Sequence, residues 1–122
     1  MQLLNKTNYL LNECEQCLIR FQKMRDEDRE PDFFQEVKPH ADQMHALIKE
    51  WQQLAKQWIS QTMPKNLYVQ QIDHAADAME QFVVQSFFKA TSKKRFTQSI
   101  QSTQYTLNLV VRKLKEGEAH VE

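Results

Sequence analysis

The sequence predicts an all-α protein, an antiparallel up-and-down four-helix bundle, and three observations predict it. Apolar residues recur at alternating steps of three and four along four long stretches, which sets them on one face of a helix in each. Gly occurs once and Pro three times in 122 residues, so the chain has few places to turn and its elements must be long. Hydrophobic residues make up 41% and charged residues 26%, a balance that builds a globular core rather than a disordered chain. A chain of this length holds one domain, large enough to bury a core without disulfide or metal staples. We expect that domain over residues 1–117 and a flexible C-terminal tail over 118–122.

The first seam is Leu3, Thr7, Leu10, Cys14, Cys17, Phe21 and Met24, widened by Leu4, Leu11 and Leu18. A seam of that width suits a bundle core better than a two-stranded coiled coil. The charged run Asp26 to Glu30 ends it, and Pro31 marks the break. Asp32 is placed to cap a short helical turn carrying Phe33, Phe34 and Val37, ahead of the second long helix. Pro39 fits the first turn of that helix, where a missing N–H costs nothing. Its seam is Ala41, Met44, Ile48, Trp51, Ala55 and Trp58, flanked by Leu47, Leu54 and Ile59, and Thr62-Met63-Pro64 closes it. The third seam is Val69, Ile72, Ala76, Met79, Val83, Ser86 and Ala90, flanked by Ala75, Phe82 and Phe87, with Thr91 to Lys94 as the turn after it. The fourth is Phe96, Ile100, Thr103, Leu107, Val110 and Leu114, beside Val111, and Gly117 stands where a left-handed cap would close it. Helices of about 20 residues are roughly 30 Å long, and short connections between them favour antiparallel neighbours. A helical hairpin that dimerises is the competing architecture; the wide seams favour the monomeric bundle, with a homodimer as the alternative.

Several function classes fall away on composition. Lys plus Arg number 16 and Asp plus Glu number 16, a net charge of zero, which disfavours a nucleic-acid or membrane-surface protein. There is no basic start followed by an apolar stretch, no apolar run of about 18 residues and no disulfide framework, so we expect a cytoplasmic protein. One Gly rules out phosphate-cradling loops and nucleophile elbows.

The residues that could carry chemistry are few. Cys14-x-x-Cys17 has no second pair to complete a zinc site, and both thiols fall mid-helix on the seam, away from the helix N-terminus that activates a redox cysteine. Asp42 with His45, and Asp73 with His74 and Asp77, share helix faces, but no Glu-x-x-His occurs and no seam holds a carboxylate or His, so a buried di-metal site lacks ligands. His40 and His120 stand alone. We therefore assign no catalytic, cofactor-binding or metal-binding residue and expect no cofactor.

Two surface features remain. Phe88, Lys89, Lys93, Lys94 and Arg95 form a basic cluster beside an aromatic, a candidate site for an acidic or phosphorylated partner, although the acidic run Asp26 to Glu30 should lie at the same end and neutralise part of it. Phe33, Phe34, Phe87 and Phe88 come in adjacent pairs that cannot both face one core, and Tyr9, Tyr68 and Tyr105 lie off the seams. We expect the Phe33-Phe34 turn to cap the open end of the bundle and bury that surplus.

The runs Asp32-Phe33-Phe34, Val37-Lys38-Pro39, Pro64-Lys65, Gln71-Ile72, Gln85-Ser86, Lys93-Lys94-Arg95-Phe96 and Tyr105-Thr106-Leu107 resemble, in order and spacing from about residue 32 to 115, the YppE-like family of uncharacterised small proteins from Gram-positive bacteria. That resemblance implies a four-helix bundle and supplies no activity, ligand or functional residue. The reading reached is a non-enzymatic cytoplasmic interaction module with an unknown protein partner; a ligand binder or enzyme with a pocket between helices is the alternative.

Overall fold

Each of the four stripes winds into a helix. The computed structural model describes residues 2–120, with α1 at Gln2–Asp26, α2 at Lys38–Thr62, α3 at Val69–Gln85 and α4 at Lys93–His120. Contacts across the seams fix the directions. Thr7 meets Trp51 and Glu13 meets His40, so α2 runs down as α1 runs up. Asp73 meets Lys56 and Glu80 meets His45, Phe82 meets Phe96, and Glu15 meets Gln104 while Phe21 meets Phe96. Every neighbouring pair is antiparallel, and the diagonal α1–α3 contact is slight, as up-and-down order requires. One end therefore carries the first and third connections; the other carries the second connection and the chain termini.

The core follows the predicted seams, except that Trp58 and Val69 are only half-covered and Ala90 is exposed, while the flanking Ile59, Ala75 and Phe82 are buried in their place. Cys14, Cys17, Ile48, Trp51, Ala55, Ile72, Ile100, Leu107 and Val110 are wholly buried. The indole Nε1–H of Trp51 donates to Thr7 Oγ1 at 3.0 Å, and that hydroxyl donates to the Leu3 carbonyl at 2.7 Å, so the largest core side chain enters with its polar atom satisfied. Leu67, in the second connection, and Leu109, off the fourth seam, join the core although periodicity did not mark them.

The connections show why the helices end where they do. Arg29 N–H reaches the Met24 carbonyl and Asp28 N–H that of Arg25, with Asp28 at φ 50°: a Schellman motif closes α1 with an aspartate in the left-handed position. The predicted turn is a π-helical turn, Phe33–Val37, continuous with α2. Asp32 caps it by accepting from Gln35 N–H at 3.0 Å, and Glu36 reaches back to Asp32 N–H at 2.7 Å. Pro39 has no N–H for the carbonyls one turn back, and the chain meets this by widening the turn before it.

Three expectations are corrected. Phe33 and Phe34 do not cap the bundle; they stand 48% and 76% exposed, stacked edge to face on each other, and only Val37 of that turn enters the core. The third helix stops at Gln85 rather than running to Ala90, because Phe87 and Phe88 N–H bond three residues back and Thr91 Oγ1 takes the Gln85 carbonyl. Gly117 is not a left-handed cap: α4 continues through it to His120, so 118–120 are helical backbone, while 121 and 122 lie outside the described residues.

Candidate functional site

Three helices, α1, α2 and α3, converge near the end that carries the first and third connections. Glu13, Cys17 and Arg20 lie at steps of four and three along α1 and so share one stripe. That stripe faces His40, from the first turn of α2, and Ser86, at the C-terminus of α3. Glu13 Oε2 lies 2.7 Å from His40 Nε2 and 3.4 Å from Arg20 Nη1. Arg20 Nη1 donates to Ser86 Oγ at 2.8 Å, Ser86 Oγ donates to the Val83 carbonyl at 2.7 Å, and Arg20 Nη2 lies 3.3 Å from His40 Nε2. The guanidinium sits over the Phe87 ring at 4.6 Å, and the His40 ring meets the same ring edge-on. Glu13 is buried, whereas His40 and Arg20 reach the surface at their outer edges.

This cluster overturns two sequence readings. A buried carboxylate, Glu13, does lie against the first seam, and His40 does not stand alone. The signal was present in Glu13 and Arg20 at helical spacing on either side of Cys17; what hid it was that these two polar residues lie beside the hydrophobic stripe rather than in it.

The cluster's chemistry is that of a satisfied network. Among the described residues no buried side-chain nitrogen or oxygen lacks a hydrogen-bond partner. Burial, with Glu13 beside it, pushes the Cys17 thiol far above its ordinary range, and burial lifts Cys14 to about 12, so neither is a thiolate at neutral pH. No group of three or more His, Cys, Asp or Glu among the described residues is arranged to hold a metal ion. Asp42 pairs with Lys38, His45 lies against the Glu80 carbonyl, Asp73 takes Lys56 and Gln52, and His74 and Asp77 face outward. The side chain of His120 lies outside the described residues.

The basic cluster divides in two. Lys89 is bound internally: its Nζ lies 2.7 Å from Asp28 Oδ1 and 3.4 Å from Glu30, tying the third connection to the first. That contact holds the Asp28 carboxyl below its usual range and lifts Lys89. Lys93, Lys94 and Arg95 are exposed and enter no ion pair with the described residues. They occupy the first turn of α4, which holds no acidic residue, so three cations add to the positive end of the helix dipole. Ser92 caps that turn, its carbonyl accepting from Phe96 N–H at 2.9 Å. Phe88 is half-buried beside them.

The comparisons with known proteins agree with this fold. A model of a bacterial domain of unknown function, DUF1798, matches residues 7–114. The chain belongs to this family. It is 30% identical over 108 residues to the uncharacterized protein YppE of Bacillus subtilis (strain 168), covering 88% of each chain. The crystal structure of that Bacillus protein superposes with a TM-score of 0.92 over 96% of this chain and 95% of its own, at 27% identity. A protein of unknown function from Listeria innocua gives 0.91 at 30% identity, over 98% and 95%. The family fixes the fold and leaves the activity open.

Proposed function

We infer that this protein is a non-enzymatic interaction module of the cytoplasm, which presents Phe88, Lys93, Lys94 and Arg95 to an acidic segment of another protein. The observation that carries this reading is the contrast within one end of the bundle. Lys89 is neutralised by Asp28 and Glu30, whereas the next three cations are left without counter-charges on a helix end that is already positive. The exposed Phe33 and Phe34, at the same end, add apolar surface of the kind that anchors interfaces. The cytoplasmic placement is supported by two free thiols and by the absence, among the described residues, of any helix long and apolar enough to cross a membrane. Lys89, first grouped with the binding cations, serves here to hold the two connections together.

Titration of the isotopically labelled protein with a glutamate-rich peptide tests this. Amide shifts should concentrate at residues 88–95, weaken steeply with added salt and vanish in a chain carrying Lys93→Glu, Lys94→Glu and Arg95→Glu. Shifts spread evenly over the surface, or unchanged in that variant, would contradict it.

A second reading, a ligand site at Glu13 and His40, is favoured only by the outer edges of His40 and Arg20, which reach the surface above the buried carboxylate. The prominent grooves of the molecule lie elsewhere, and the groups of the cluster already bind one another.

A further inference from the structure

A shallow groove follows the seam of α1 and α2, on the face opposite α3 and α4. Three adjoining depressions compose it. The first lies between Lys6 and Tyr9 on one side and Leu47 and Glu50 on the other. The second shares Lys6 and Glu50 with the first and adds Gln2, Leu54 and Gln57; the third shares those last three and reaches Trp58 and Gln61. On α2 the groove tracks positions 43, 47, 50, 54, 57 and 61, a second stripe at steps of four and three beside the buried one. Its 18-residue rise makes it about 27 Å long.

The chemistry of this stripe is unlike the rest of the surface. Leu47, Leu54 and Trp58 lie only half-covered against the core, and Tyr9 is 49% exposed. The rim is amide: Gln2, Asn5, Gln43, Gln57 and Gln61. The charges in it are Lys6 and Glu50, paired at 3.0 Å midway along. A strongly acidic or basic partner finds no counter-charge there. An amide carries both donors and an acceptor, so a row of amides complements a copy of itself. The same holds for one cation and one anion set side by side, since a twofold axis brings each against its opposite.

We propose that the α1–α2 face is a homotypic docking surface, on which two complete bundles pair about a twofold axis with Lys6 of each copy within reach of Glu50 of the other. A strip about 27 Å long and two helix diameters wide covers about 500 Å² per copy, or about 1,000 Å² in all. That is the low end for specific interfaces, so the association is weak, with a Kd on the order of 10–100 µM. This surface is separate from the basic end, and the variant with three glutamates at 93–95 should dimerise normally.

Sedimentation analysis of the full chain, from about 5 µM to about 1 mM, spans that constant tenfold or more on its upper side and reads it directly. Lys6→Glu and Glu50→Lys should each weaken association at least about tenfold by placing like charges across the axis. Mixing the two variants one to one should restore it, because each then meets the opposite sign on the other chain, and the double exchange should restore it within a single chain. The ion pair lies at the surface, with Glu50 exposed and Lys6 half-buried, and contributes little to folding, so both variants should keep the natural helical spectrum and melting profile. A natural chain that stays monomeric throughout overturns the proposal and leaves the groove to another protein or to none. A dimer indifferent to either substitution, or one that mixing fails to restore, overturns it equally.

Discussion

A carboxyl group 6% exposed needs polar partners inside a bundle, and Glu13 has them in Arg20 and His40. Desolvation of an unpaired charge costs several kcal/mol, which the guanidinium and imidazole offset only while both remain in place. Glu13→Gln keeps the shape and removes the charge, leaving Arg20 without a counter-ion beneath Phe87. We predict a loss of about 1–3 kcal/mol, read as a lower urea midpoint with unchanged slope. The two cysteines make a separate prediction at this scale. With Cys14 lifted to about 12 and Cys17 higher still, thiol reagents at pH 8 should react at least about a hundredfold more slowly with the folded chain than with the unfolded one. Equal rates would mean that the Cys14–Cys17 stretch of α1 opens readily. Raised thiol pKa values also tie stability to alkaline pH. The stabilisation is complete below the ordinary cysteine value near 9.0 and is lost as pH rises above it, where the unfolded chain ionises and the folded one does not.

The helices are joined by connections of two qualities. Asp28 and Asn66 sit in the left-handed region, which their short polar side chains tolerate, whereas Met63 holds φ 46° at the C-terminus of α2 with an 81% exposed side chain and no packing to offset the strain. That conformation costs an L-residue about 1–2 kcal/mol, and glycine's extra unfolded freedom costs about 0.5–1 kcal/mol. Met63→Gly should therefore stabilise the protein by about 0.5–1 kcal/mol, raising its melting temperature by a few degrees. Between α2 and α3, Lys56 and Gln52 hold the Asp73 carboxyl below its usual range, as Arg29 and the Asp32 N–H do for Glu36. Depressed carboxylates contribute stability above the ordinary value near 4 and lose it as pH falls through their lower folded values. Acid should therefore loosen this seam only below about pH 4, and Asp73→Asn should flatten the decline of stability there. These elements also show how far sequence reading reaches. Seam positions, the Asp32 cap and the helix order follow from local spacing and were legible. The Schellman closure at Asp28, the π-helical turn before Pro39 and the early end of α3 were not, since they depend on which carbonyls the neighbouring turns leave free.

At the scale of the whole molecule, charge explains more than periodicity does. The chain sums to zero, yet one end sets Asp28 and Glu30 against Lys89 and leaves Lys93, Lys94 and Arg95 open. The sequence shows both runs; only the bundle's topology brings them to one end and decides which cation is consumed. The Glu13–His40 cluster was hidden for a related reason, because 27 residues separate its partners and no local pattern links them. The central claim, that the open cations receive a protein partner, is tested most directly by capture from native lysate at physiological salt. The natural chain would be compared with one carrying Glu at positions 93, 94 and 95. A partner held by the natural chain, lost by the variant and released by moderate salt is the predicted result. The same set of proteins on both chains, or none on either, would contradict it.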